Sequence, residues 1–114
     1  MTFNEFDVYQ QEIIQKVLRM KDKGREYAYS EKDRFQNFNE LAAQEEISRL
    51  KVASIYMKKH LLSLQSYINK GVECSEEKIE GRIVDIITYL TLIAGMIKED
   101  QTIKERQDYQ SPPI

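Results

Sequence analysis

Asp85 is the one ionised side chain between Ile83 and Ile97, a stretch otherwise made of apolar and hydroxyl residues. A carboxylate in such company must be paired, or its pKa rises. Steps of 100° along a helix set Asp85 in line with Lys78, Arg82 and Tyr89. Two readings follow. Asp85 is a functional group (a base, a metal ligand, or the acceptor that orients a cation), or it forms a structural ion pair with Arg82 and takes a hydroxyl from Tyr89.

Lys59-His60 is the second feature. His60 falls at the edge of an apolar stripe, and Tyr56, Ser63 and Tyr67 continue around the same side. An imidazole and three hydroxyls can hold a base, a sugar or a phosphate. A hydrogen-bonded core histidine accounts for the same pattern.

Charge is distributed unevenly around these residues. From Ile47 to Val72 there is no Asp or Glu, while Arg49, Lys51, Lys58, Lys59 and Lys70 are present. The segment before it adds Lys21, Lys23, Arg25, Lys32 and Arg34. Such a surface attracts anions. The whole chain carries a net charge of −2 and no groove-reading motif, which fits a phosphate-bearing small molecule better than duplex nucleic acid. A solvated face balanced by acidic neighbours is the plain alternative. No phosphate-cradling glycine loop, Cys/His metal spacing or Ser/His/Asp order is present. Cys74 sits at a helix start with Glu73, Glu76 and Glu77 opposing any drop in its pKa, so it reads as incidental.

These groups must be positioned by helices. Four glycines and two prolines, the latter only at 112 and 113, leave nearly all of the 114 residues free to be helical, and no alternating run supports a sheet. A first helix is expected over about Asn4 to Lys23, opened by a Thr2/Glu5 capping box and closed by Gly24, with Phe6, Tyr9, Ile13, Val17 and Met20 on one face. Residues 25–38 lose the period and mix charge with four aromatics, which predicts a loop packed on the domain. A short helix follows over about Glu40 to Glu45, capped by Asn37 or Asn39. A second long helix spans about Ile47 to Asn69, with Leu50, Ala53, Met57, Leu61, Leu64 and Ile68 as its stripe and Lys70-Gly71 as its end.

The third long helix starts at a Ser75 cap followed by Glu76 and Glu77. Ile79, Ile83, Ile86, Leu90, Ile93 and Ile97 form its stripe, and its other sides are apolar too. A helix apolar almost all round is buried from several directions. The fold class is thus all-α: three long helices and a short one in a bundle completed by dimerisation, with the third long helix at or near the subunit interface. Coverage within one chain is the alternative. Residues 1–98 form one domain, and 99–114 form a polar tail expected to fray. The acidic N-terminus, the single cysteine and the lack of an 18-residue apolar run predict a cytoplasmic protein without a membrane span or export signal.

Three segments also carry a resemblance. They are Lys23-Gly24-Arg25-Glu26-Tyr27 followed by Arg34-Phe35-Gln36-Asn37-Phe38; Met57-Lys58-Lys59-His60-Leu61-Leu62-Ser63-Leu64; and Ser75 to Ile79 leading into Arg82-Ile83-Val84-Asp85-Ile86-Ile87-Thr88-Tyr89-Leu90. Together they resemble a family of small all-α phage and prophage proteins. That family is similar to the nucleotide-modification-associated domain 1 group and, more distantly, to the MazG-like all-α nucleotide pyrophosphatases. The resemblance implies a dimeric helical bundle, a phage or mobile-element origin and dealings with nucleotides.

The pyrophosphatases resemble one another in paired carboxylates that hold Mg²⁺, since the cation needs several hard oxygen ligands. Here the middle helix has no carboxylate, and the residue three before Asp85 is Arg82. No cofactor is therefore assigned, Mg²⁺ included, and an enzymatic activity is left open.

The expectation is a nucleotide or similar phosphate ligand bound between the second and third long helices under the aromatic loop. Lys59, His60, Arg82 and Arg34 would meet the anion. Tyr56, Tyr67, Tyr89 and Phe38 would stack on or hydrogen-bond a base, with Ser63 on the same flank, and Asp85 would orient a cation or a ligand hydroxyl. The rivals are a protein–protein module that inhibits a host defence or replication factor, and a residual metal-dependent nucleotide hydrolase.

Overall fold

The computed structural model describes residues 1–20, 33–73 and 78–110. Among them are four helices and no strand: α1 Phe3–Arg19, α2 Gln36–Glu45, α3 Arg49–Lys70 and α4 Ile79–Gln110. The fold is all-α.

The ends of the helices follow from local chemistry. Thr2 and Glu5 form the expected capping box, with the Thr2 hydroxyl accepting from the Glu5 amide at 3.1 Å and the Glu5 carboxylate accepting from the Thr2 amide at 3.2 Å. Ser48 caps α3 by accepting from the Lys51 amide, and Gly71 closes it in the left-handed conformation at φ 66°. At α2 the expected Asn37 or Asn39 cap is not what forms. No side chain caps its first turn, and Asp33 braces the approach instead: one carboxylate oxygen accepts from the Phe35 amide at 2.9 Å and the other from the Asn39 side chain at 3.2 Å. Glu46 ends α2 at φ 56°, an uncommon posture for a residue with a Cβ. At α4, Glu73 accepts from the Ile79 amide at 3.3 Å. The expected Gly24 closure, the Cys74–Glu77 start and the aromatics of the 25–32 stretch lie outside the described residues.

α3 and α4 run antiparallel, because His60 meets Arg82 and Asp85 at one end while Arg49 meets Met96, Glu99 and Asp100 at the other. Ala53 and Met96 are fully buried and, with Val52 and Phe38, make the core. The small Ala53 lets the two long helices approach closely, and α2 lays Phe38, Leu41 and Ala42 onto them. Burying a side chain such as Met96 contributes roughly 1.5–3 kcal/mol.

Arg49 ties three helices together. Its guanidinium donates to Glu99 at 2.8 Å, Asp100 at 2.6 Å, the Met96 carbonyl at 3.2 Å and Asn39 at 3.3 Å, and it lies 5.5 Å over the Phe35 ring. Burial works against its charge, but the bonds to Glu99 and Asp100 prevail and hold it above its ordinary range. These bonds fall just past residue 98, at the start of the expected polar tail, and α4 runs on to Gln110.

α1 has no buried residue and rests on α4, with one polar anchor among the described residues. Tyr9 donates to Glu80 at 2.9 Å, and Lys16 pairs with the same carboxylate. Ile13, Val17 and Met20, from the stripe expected to face the domain, are half-buried.

The packed side of α4 differs from the expected stripe. Ile86 is buried and Ile93 meets the core, but Ile83, Leu90 and Ile97 are exposed. The covered side runs through Arg82, Ile86, Tyr89, Ile93 and Met96, about 60° around the helix from the stripe's centre. The result is an open arrangement: the radius of gyration is 17.9 Å, against about 13 Å for a compact chain of this length.

Candidate functional site

α2, α3 and α4 enclose a cleft of about 440 Å³, a size suited to a small molecule. Phe38 from α2 and Tyr56 from α3 meet edge to face, with centroids 6.4 Å apart at 76°. His60 on α3 lies 5.8 Å from the Tyr89 ring of α4, tilted by 31°. Asp85 and Thr88, from the same turn of α4 as Tyr89, complete the polar floor. Asn37 and Arg34 stand on the α2 side, and Met20 and Leu92 fill the remaining wall.

The floor has an internal logic. Nδ1 of His60 is 3.1 Å from Nη1 of Arg82 and 3.4 Å from a carboxylate oxygen of Asp85. Arg82 is 6% exposed and always carries its protons, so at that distance Nδ1 must accept, and the ring's proton belongs on Nε2. A doubly protonated ring would turn Nδ1–H toward Asp85 instead. Tyr89 has its phenol pKa pushed up, first by burial, then by the Asp85 carboxylate and by Tyr56. It therefore keeps its hydroxyl proton at neutral pH and can donate or accept. Thr88 spends its proton on the Val84 carbonyl at 2.9 Å and faces the cleft as an acceptor.

Six of the ten residues singled out from the sequence line the cleft: Arg34, Phe38, Tyr56, His60, Asp85 and Tyr89. The other four do not. Arg82 stands behind His60 and positions it. Lys59 is exposed and turned away, because its Cα–Cβ bond is 100° around the helix from that of His60. Ser63 and Tyr67 continue along α3 beyond the walls that α2 supplies. Asn37, Thr88, Leu92 and Met20 were missed. Thr88 and Leu92 lie three and seven residues after Asp85, a spacing that keeps them on its side of the helix and was available in the sequence.

Among the described residues, no three His, Cys, Asp or Glu side chains gather as a metal ion would need, and no helix is long and apolar enough to cross a membrane. Compared with family models, curated proteins and solved structures, the chain shows no match.

Proposed function

We propose that the protein binds a small aromatic ligand carrying an anionic group, a nucleotide or comparable phosphate ester, in the cleft between α3 and α4. One observation carries the reading: three aromatic rings, Phe38, Tyr56 and Tyr89, surround a floor in which His60, Asp85 and Thr88 offer directed hydrogen bonds. A flat heterocycle fits between such walls. Asp85 and Thr88 accept from ring or exocyclic N–H groups, and Tyr89 supplies a hydroxyl. Arg34, exposed at the rim, takes the phosphate at the solvent end, where charge need not be desolvated. With Asp85 as the cleft's carboxylate, a ligand of low negative charge suits the site better than a triphosphate. Binding, not hydrolysis, is the proposed activity.

The test is a thermal-shift panel of nucleobases, nucleosides, and mono-, di-, tri- and cyclic nucleotides. Occupancy at a hundred times Kd raises stability by about 2.7 kcal/mol, an easily read shift. Stabilisation by one class, lost in Tyr89→Ala and weakened in Arg34→Ala, is expected. A flat response across the panel at millimolar ligand would refute the reading.

A further inference from the structure

The side of the α3–α4 hairpin away from the cleft is apolar and uncovered. On α4, Ile83, Ile87, Leu90, Ala94 and Ile97 follow one another at spacings of 4, 3, 4 and 3, the period of a helix–helix seam. Among the described residues no helix lies over the seam: Ile83 and Ile97 are exposed, and Leu90 is 51% exposed. On α3, Leu61 is also exposed and Ile68 is 71% exposed. Both helices turn these residues the same way. On each, the cleft residues lie to one side of the line where α3 meets α4, and the bare apolar residues lie to the other. The two rows form one continuous face.

We infer that this face closes on a second copy of the chain, so that two α3–α4 hairpins form a four-helix core around a two-fold axis. Two features of the molecule select that occupant. First, a two-fold axis sets a face against itself, so a face of one charge sign would repel its copy. The α4 seam carries no ionised side chain from Ile83 to Ile97, because Asp85, the single charge in that stretch, belongs to the cleft on the other side. Second, the area fits. The chain exposes 9183 Å², where a compact monomer of its 13.5 kDa exposes about 6500 Å². That excess, about 2700 Å² over the whole chain, slightly exceeds the roughly 1000–2500 Å² that each partner hides in an obligate dimer, so this face can supply such an area with surface to spare. The exposed Phe3, Ile14 and Leu18 of α1 add to the uncovered surface.

The experiment is sedimentation equilibrium of the full chain over a wide concentration range, with thermal melts at the same concentrations. The expected result is a mass of two chains and a Tm that rises with concentration. Leu90→Ala should weaken the dimer at least tenfold, since it removes apolar area from both copies at once. Leu62→Ala, exposed on α3 away from the seam, should leave it unchanged. Retained helicity by circular dichroism shows that each variant folds; if Leu90→Ala does not, Ile83→Ala replaces it. A monomeric chain whose Tm ignores concentration would assign the face to a different protein and overturn the inference. So would an assembly larger than two, or a dimer unmoved by the seam variants.

Discussion

Replacing Arg49 by Met removes the clamp while keeping most of its stem volume. The loss can be worked from the contacts. Glu99 and Asp100 are 46% and 53% exposed, so they return to water, and their two pairs together contribute only about 1 kcal/mol. The bonds to Asn39 and the Met96 carbonyl are less exposed and contribute roughly 0.5–1 kcal/mol each. The guanidinium over Phe35 adds about 0.5 kcal/mol. Regained hydration of the lost charge offsets part of this, leaving a destabilisation of about 2 kcal/mol. For a chain of this length that lowers Tm by roughly 8 °C. The assay is thermal and urea unfolding followed by circular dichroism, at one protein concentration. Arg49→Lys, which keeps the charge but not the fork, should fall between wild type and Arg49→Met. A change below about 0.5 kcal/mol in Arg49→Met would refute the view that this residue joins α2 to the long hairpin.

Two further outcomes follow from the geometry. Lys16 and then Tyr9 hold the Glu80 carboxyl below its ordinary pKa, so the anchor of α1 is present above the unfolded value and is lost as pH falls through the folded one. Wild type and Glu80→Gln should therefore differ near neutrality in the NMR shifts of the Ile13 and Val17 methyls and converge in acid, once pH has fallen below the lowered folded-state value; a difference that persists there refutes the anchor. A Cβ at Gly95 would come within 2.9 Å of the Phe35 ring. Gly95→Ala should destabilise in urea unfolding, because the contact costs about 1–3 kcal/mol while helix propensity returns about 1; in a Phe35→Leu background the sign should reverse.

Much of this molecule was legible in its sequence, for definable reasons. Capping groups act over three residues, so the Thr2/Glu5 box and the Gly71 end were readable. His60, Asp85 and Tyr89 were readable because a polar side chain inside an apolar stretch must be answered by something. What the helical period does not report is which of several apolar sides is covered. Ile83, Leu90 and Ile97 are as oily as Ile86 and Ile93, and only the arrival of α3 distinguishes them. Pairings across fifty residues were equally hidden, such as that of Arg49 with Glu99 and Asp100. Lys59 does not line the cleft although His60 does, because consecutive residues of a helix point 100° apart.

Nδ1 of His60 has one lone pair and two claimants three residues apart on α4. It can accept from the guanidinium or give a proton to the carboxylate, but not both. A guest that engages Asp85 with its own N–H withdraws one claimant and leaves the ring nitrogen to Arg82. The carboxylate that faces the cleft and the guanidinium behind it therefore share one ring nitrogen.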